Sequence, residues 1–345
     1  MKTNIAINGF GRIGRNAFKI AFDRADLDIV AINDLTDTKT LAYLLKHDSN
    51  YGAYNRQVGF DDSNLIVEGL RIPVTAEKDP TKLPWGKLGV DVVIESTGRF
   101  TKSEDAAQHL KAGAKKVVIS APTKSADIET LVIGANEDAL AKAGDIISNA
   151  SCTTNSVAAV MAIMDEALGV TRAMLTTVHS YTASQALQDG PAKDMRETRA
   201  AAENIVPTTT GAAIAVTLAL PQLKGKFDGM SVRVPSPVVS LSDITMVLEH
   251  KATVDEINEV FKKAVKEPYF QGILDISDEP LVSKDYVGNS HSGIIDLLLT
   301  NVVDGTLAKV VVWYDNEWGY SNRLVELVAD AGRLIHNPPT KPKAD

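Results

Sequence analysis

Cys152 is the only cysteine in 345 residues, and it stands in the run SNASCTTNS (148–156). The apolar stretch DII (145–147) comes before it, and SVAAVMAIMDEAL (156–168), with helical periodicity, comes after. That context puts the thiol where a strand runs into a helix. A helix N-terminus lowers a thiol pKa from about 8.5 and favours the nucleophilic thiolate. The neighbouring Ser, Thr, Thr and Asn do not make a core face, which weighs against a buried structural cysteine. A thiol nucleophile needs a histidine to hold the thiolate and move protons. Of the six histidines, His47, His109, His250 and His336 sit in helical or polar stretches and read as surface residues. His291, in NSHSG, is open. His179 ends the strand-like run LTTVHSYT (175–182), after the helix that Cys152 begins. That strand is expected to pack beside the one before Cys152 and bring the two groups together. Spacing alone leaves the choice of histidine open.

A second constellation lies at the start of the chain. The run TNIAIN (3–8) leads into Gly9-Phe-Gly11-Arg-Ile-Gly14 and then a helical pattern. This is the G-x-G-x-x-G fingerprint in the strand–turn–helix setting it requires. Gly9 permits the tight turn, Gly11 lets the backbone approach a pyrophosphate, and Gly14 lets helix and strand pack closely. The helix N-terminus offers N–H groups and a positive dipole end to phosphates. Asp34 ends the next strand, where a carboxylate binds both hydroxyls of an adenosine ribose and repels a 2′-phosphate, so NAD is expected over NADP.

The elements that must position these groups alternate in the first half. Strands are expected at 28–34, 91–96 and 115–121, with helices at 41–48 and 103–114 and hairpins across 51–85. Such alternation implies parallel β-α-β units. After Cys152 the runs at 173–182, 230–237, 240–250 and 307–315 are longer and alternate, with a helix at 253–266. They suggest a mixed or antiparallel sheet with helices on one face. The expected fold is therefore α/β: a Rossmann-type doubly wound parallel sheet over 1–151, then an α+β domain with a mixed/antiparallel sheet over 152–316. A last helix (317–335) is expected to return to the first domain, and 336–345 reads as a disordered tail.

Composition restricts the function classes. The chain is 44% hydrophobic and 23% charged, with net charge −8, which argues against nucleic acid as the main partner. One cysteine excludes an internal disulfide framework and fits a reducing cytoplasm. The N-terminal residues turn to glycine too soon for a secretory signal, no apolar run reaches membrane-span length, and no metal-ligand cluster is recognisable.

Taken together, NGFGRIGR, SNASCTTN, TVHSYT, PTTTGAA and WYDNEWGYSNR resemble phosphorylating glyceraldehyde-3-phosphate dehydrogenases, in order, from about residue 3 to 335. The resemblance implies that Cys152 is the nucleophile and His179 its acid/base partner. It implies that Arg12, Ile13 and Asp34 bind the dinucleotide, that Lys78 and Ser120 match further cofactor positions, and that Asn316 holds the nicotinamide carboxamide. Ser151, Thr153, Thr182, Thr210, Gly211 and Arg233 match positions that bind the substrate and inorganic phosphates. A homotetramer is implied, with the loop around 180–203 lining a neighbour's cofactor site. One departure stands out: MRETR (195–199) carries Glu197 where many bacterial relatives have a phosphate-binding arginine. Erythrose-4-phosphate dehydrogenase is the close rival, and TTTGAA favours the three-carbon aldehyde. A non-phosphorylating aldehyde dehydrogenase needs no second phosphate pocket. An intact Cys152–His179 pair argues against an NAD-binding regulator without turnover as the sole role.

Overall fold

The computed structural model describes residues 1–338, so the tail expected at 336–345 lies, from residue 339 on, outside the described residues. The chain divides into two units. One comprises Met1–Leu131, Glu137–Ala150 and the residues from Ser321 on; the other comprises Val132–Asn136 and Ser151–Tyr320.

The first unit begins β1 (Thr3–Asn8), α1 (Arg12–Phe22), β2 (Leu27–Asn33), α2 (Thr38–Lys46), followed by a small hairpin of β3 (His47–Asp48) and β4 (Gly52–Ala53). A meander of β5 (Val58–Phe60), β6 (Asn64–Val67) and β7 (Leu70–Thr75) comes next. The unit continues with β8 (Val92–Glu95), α3 (Ser103–Lys111), β9 (Lys116–Ile119), β10 (Glu129–Thr130) and β11 (Ile146–Ser148). Its nine strands run in the order β10-β11-β9-β8-β1-β2-β7-β6-β5. From β10 to β7 every pairing is parallel, and β5 and β6 extend the edge as antiparallel hairpins. This is the doubly wound sheet expected from the alternation of strands and helices. Central strands are buried on both faces, as in β1, where Ile5, Ala6 and Ile7 are all fully buried. Ala6, Ala31 and Val93 pack with Leu83, Trp85 and Val90 on one side.

α2 stops at Lys46, two residues before the expected end. Asp48 is withdrawn to pair with Arg12 at 2.7 Å and to accept the N–H groups of Asn50 and Tyr51, so the chain leaves the helix for β3. His109 corrects a second expectation. It is fully buried, not a surface residue. Trp85 Nε1 donates to its Nδ1 (3.0 Å), and its Nε2 lies 3.0 Å from Glu95 Oε2. An indole N–H can only donate, so Nδ1 accepts and Nε2 carries the proton to the carboxylate.

The second unit opens with α4 (Cys152–Leu168), then β12 (Val170–Ser180), β13 (Val206–Thr209), α5 (Ala212–Ala219), β14 (Phe227–Val234), β15 (Ser240–Leu248) and α6 (Val254–Ala264). It closes with β16 (Leu274–Ser277), β17 (Gly293–Asp296), β18 (Asn301–Val303) and β19 (Leu307–Tyr314). The sheet order is β13-β14-β12-β15-β19-β17-β16, with β18 beside β19. It is mixed: β12 runs parallel to β14 and β16 to β17, and the other pairings are antiparallel. α4 is buried nearly all round, as befits a helix between a sheet and further helices, and packs on β12, β15, β17 and β19. α6 is held at its start by a capping box between Thr253 and Glu256 and packs on α4. Along β12, Ala173, Leu175, Thr177 and His179 are buried, while Met174 on the alternate face is 60% exposed. The long helix α7 (Trp318–His336) closes the described chain, and its residues from Ser321 on belong with the first unit.

Candidate active site

In the first unit a cleft of about 560 Å³ opens where β1, β2 and β8 end. That is the position at which open parallel sheets bind ligands. Its lining includes Gly9, Gly11, Asp34 and Lys78, together with Asn33, Ser96 and Thr97. Gly9 has φ +92°, and a side chain there would strike the Thr97 backbone at 2.7 Å. A Cβ on Gly14 would lie 2.1 Å from the Gly9 carbonyl oxygen, so α1 and the loop touch backbone to backbone. A Cβ on Gly11 meets nothing within 4 Å, which leaves that side of the loop open for a phosphate to approach. No side chain caps α1, so its dipole end stays available to an anion. Asp34 fastens the loop: Oδ2 accepts from Phe10 N (2.7 Å) and Oδ1 from Thr36 N (2.9 Å). The residues present therefore fit a dinucleotide. Arg12, Ile13 and Ser120 are not among the lining residues. Arg12 turns to Asp48 and lies over the Tyr51 ring, and Ser120 follows β9 with its N–H on Glu95 O.

In the second unit Cys152 is the first residue of α4. The chain swings into the helix through Ala150, at φ +55°, and Ser151 caps it by accepting from Thr154 N at 3.1 Å. Cys152 Sγ lies 3.4 Å from His179 Nε2. The two groups do not meet as the sequence suggested, because β11 and β12 belong to different sheets. They meet because α4 packs on β12 and the chain returns along that strand to its end. His179 Nδ1 lies 2.7 Å from Ser180 O and 2.6 Å from Arg233 Nη1. One nitrogen cannot donate to a carbonyl and accept from a guanidinium at once, so these two partners favour opposite tautomers. The ladder explains the meeting of the last two, since His179 pairs in register with Arg233.

The profile of the C-terminal domain of glyceraldehyde 3-phosphate dehydrogenase matches residues 151–316, and that of its NAD binding domain matches residues 3–103. The chain belongs to the glyceraldehyde 3-phosphate dehydrogenase family. It is 56% identical over 330 residues to glyceraldehyde-3-phosphate dehydrogenase of Geobacillus stearothermophilus, covering 95% of this chain and 98% of the relative. It is 54% identical over 330 residues to glyceraldehyde-3-phosphate dehydrogenase 1 of Bacillus subtilis (strain 168), with the same coverage. The Streptomyces coelicolor glyceraldehyde-3-phosphate dehydrogenase is 50% identical over 337 residues, 97% of this chain and all of the relative.

Electrostatics at this family member's site differ from the sequence expectation. Burial pushes the Cys152 thiol up, against the pull of the Arg233 charge and of hydrogen bonds from Thr153. The helix start does not by itself overcome the loss of water. Burial, with the Arg233 charge added, pushes His179 down to about 4. The remaining residues expected at the site are engaged locally. Thr153 Oγ1 lies 2.8 Å from Tyr314 Oη, Thr182 Oγ1 2.9 Å from Ser184 Oγ, and Thr210 Oγ1 accepts from Ala212 N at 3.1 Å. Gly211 is the N-cap of α5. β13 runs antiparallel to β14, so Val206 pairs with Arg233, and Thr210 lies at the other end of that ladder. Asn316 Oδ1 accepts from Ser180 Oγ (2.8 Å) and Ser240 Oγ (3.2 Å). Tyr314, Ser180 and Ser240 were not found from the sequence. Their contacts span 60 to 161 residues and carry no local motif.

Proposed function

We propose that the chain is a glycolytic and gluconeogenic enzyme of the cytoplasm that oxidises D-glyceraldehyde 3-phosphate with NAD and inorganic phosphate to 1,3-bisphosphoglycerate. The observation that carries this reading is the Cys152 Sγ–His179 Nε2 approach of 3.4 Å at the start of α4. In this reading residues 1–151, with helix 317–335, bind NAD, and residues 152–316 do the chemistry.

Cys152 Sγ bonds to the aldehyde carbon, and its proton passes by way of His179 to the aldehyde oxygen, giving a hemithioacetal. His179 Nε2 then takes the hydroxyl proton as hydride leaves the carbon, and the carbon stays on sulfur as a thioester. NAD, when bound, accepts that hydride at nicotinamide C4. Phosphate oxygen attacks the thioester carbonyl, and sulfur leaves as the thiolate that Arg233 and the α4 N-terminus stabilise. The Ser180 carbonyl favours the tautomer with the proton on Nδ1, which leaves Nε2 as the base. A phosphate dianion drawn to Arg233 neutralises the cation that depresses His179, so substrate binding makes the base stronger. Arg233 and the pair Thr210–Gly211 lie at opposite ends of the β13–β14 ladder, which supports two separate anion sites, joined by Ser151, Thr153 and Thr182. Gly9, Gly11, Gly14, Arg12, Ile13, Asp34, Lys78 and Ser120 hold the dinucleotide, and Asn316 its carboxamide.

The chain is also proposed to form a homotetramer. The sheet face turned away from α4 carries exposed Met174, Met230 and Leu307, beside exposed Ile214 and Leu218 of α5, and exposed apolar patches of this kind mark interfaces. The decisive assay is NADH formation from glyceraldehyde 3-phosphate with and without inorganic phosphate, with erythrose 4-phosphate and NADP as comparators. Phosphate-dependent turnover that Cys152→Ser abolishes is expected. Equal rates without phosphate, or equal efficiency on erythrose 4-phosphate, overturn the reading.

A further inference from the structure

Ser180, Ser240, Val239 and Asn316 form a buried cluster whose side-chain hydrogen bonds the steps above do not use. Ser180 and Ser240 are 0% and 2% exposed, and Asn316 6%. Ser240 Oγ accepts from Ser180 N at 3.2 Å, so one of its lone pairs is filled by a fixed backbone donor and its proton must go elsewhere. It goes to Asn316 Oδ1 at 3.2 Å, where the Ser180 hydroxyl arrives as well at 2.8 Å. Two donors on the same atom identify the oxygen end of the amide. Among the described residues the side-chain hydrogen bonds of Asn316 engage that oxygen, which leaves its NH2 to face a ligand. The backbone that delivers Ser240 is strained for the purpose. Val239, immediately before it, has φ +70° and is 2% exposed. A β-branched residue avoids that left-handed region, and such outliers persist where the surroundings over-determine them. Ser180 has a second task through its main chain, because its carbonyl holds His179 Nδ1 at 2.7 Å.

We propose that Ser180 and Ser240 are positioning residues that lock the Asn316 amide with its NH2 toward the nicotinamide carboxamide, so that one face of the ring is presented for hydride transfer. The proposal rests on the reading that Asn316 holds the carboxamide. A flipped Asn316 would present an acceptor where the carboxamide oxygen needs a donor. The carboxamide, or the whole ring, would then turn over. Through Ser180 the same residue sets the acid/base imidazole and the amide that orients the hydride acceptor, so the two are placed together.

The test compares binding of NAD with binding of ADP-ribose, which lacks the nicotinamide, by calorimetry on the whole enzyme. The variants are Asn316→Ala, Ser180→Ala, Ser240→Ala and the double serine variant. The double variant is expected to weaken NAD relative to ADP-ribose by about tenfold, as Asn316→Ala does, with ADP-ribose affinity unchanged. It should also lose single-face transfer of deuteride, which the native enzyme is expected to show. If Asn316→Ala leaves the NAD to ADP-ribose ratio unchanged, the reading of Asn316 falls and the proposal with it. If Asn316→Ala lowers the ratio but the serine variants change neither ratio nor stereospecificity, the proposal alone is overturned. Equal weakening of both ligands marks a purely structural role and overturns it too.

Discussion

His179 sits between a thiol, a carbonyl and a guanidinium, and its low pKa has a thermodynamic cost at acid pH. Its folded value of about 4 is below the ordinary 6.5. A depressed value means that the group contributes stability above pH 6.5, which is lost as pH falls from 6.5 through 4. Two and a half units correspond to about 3 kcal/mol. In the unliganded protein, melting temperatures of native chain and His179→Asn should converge, or cross, over that window. A constant difference across it would sink the idea. Glu197 is the other residue with a clear consequence. Its Oε1 accepts from Thr208 Oγ1 at 3.0 Å, and Thr208 lies two residues from Thr210 in one direction and two from Val206, the partner of Arg233, in the other, so Glu197 sits beside the middle of the ladder. Glu197→Arg is expected to lower by roughly tenfold the KM of the anion proposed at Thr210 and Gly211 or of the one proposed at Arg233. Steady-state kinetics with both substrates decide this, and two unchanged constants refute it. Cys152 was legible because a lone thiol between a strand and a helix has few other uses. His109 was misread because its neighbours in sequence are polar, whereas Trp85 and Glu95, which make burial tolerable, are 24 and 14 residues away.

Among elements, α1 and its glycine turn show how one atom fixes an assembly. A methyl group at position 14 would enter the Gly9 carbonyl oxygen and press on Ser96 Oγ at 3.1 Å. Neither the helix nor the loop can yield without opening the cleft. Gly14→Ala should therefore lose about 2 kcal/mol of stability and most of its affinity for ADP-ribose, read by scanning calorimetry and by titration. A variant with native melting and native binding would disprove the close approach. This motif was readable because its glycine spacing, strand and helix are contiguous. The parallel sheet was readable from the alternation of strands and helices for the same reason. Which sheet β12 joins was not readable, since an alternating run satisfies either one, and the outcome was settled by α4 packing back upon it. The short end of α2 was likewise hidden, because the pull on Asp48 comes from Arg12, 36 residues earlier.

For the molecule as a whole, net charge −8 and the absence of a helix long and apolar enough to cross a membrane among the described residues leave the exposed sheet face of the second unit as an apolar surface to explain. If that face joins copies of the chain, Met174→Asp should put a carboxylate into the junction and shift the sedimentation profile toward smaller species. An unchanged profile at micromolar concentration would remove this face from the interface. Assembly was not legible from periodicity, which reports which residues of a strand point outward but not what covers them. The distribution of aromatic residues has a practical consequence of another kind. Of the three tryptophans, Trp313 and Trp318 belong to the second unit and Trp85 to the first, with its indole N–H locked on His109. Replacing Trp313 and Trp318 with phenylalanine would leave a chain whose tryptophan emission, excited beyond the tyrosine band, comes from the first unit alone. Denaturation followed by that light, set against far-ultraviolet dichroism of the whole chain, would reveal whether the two halves melt in one event or in succession.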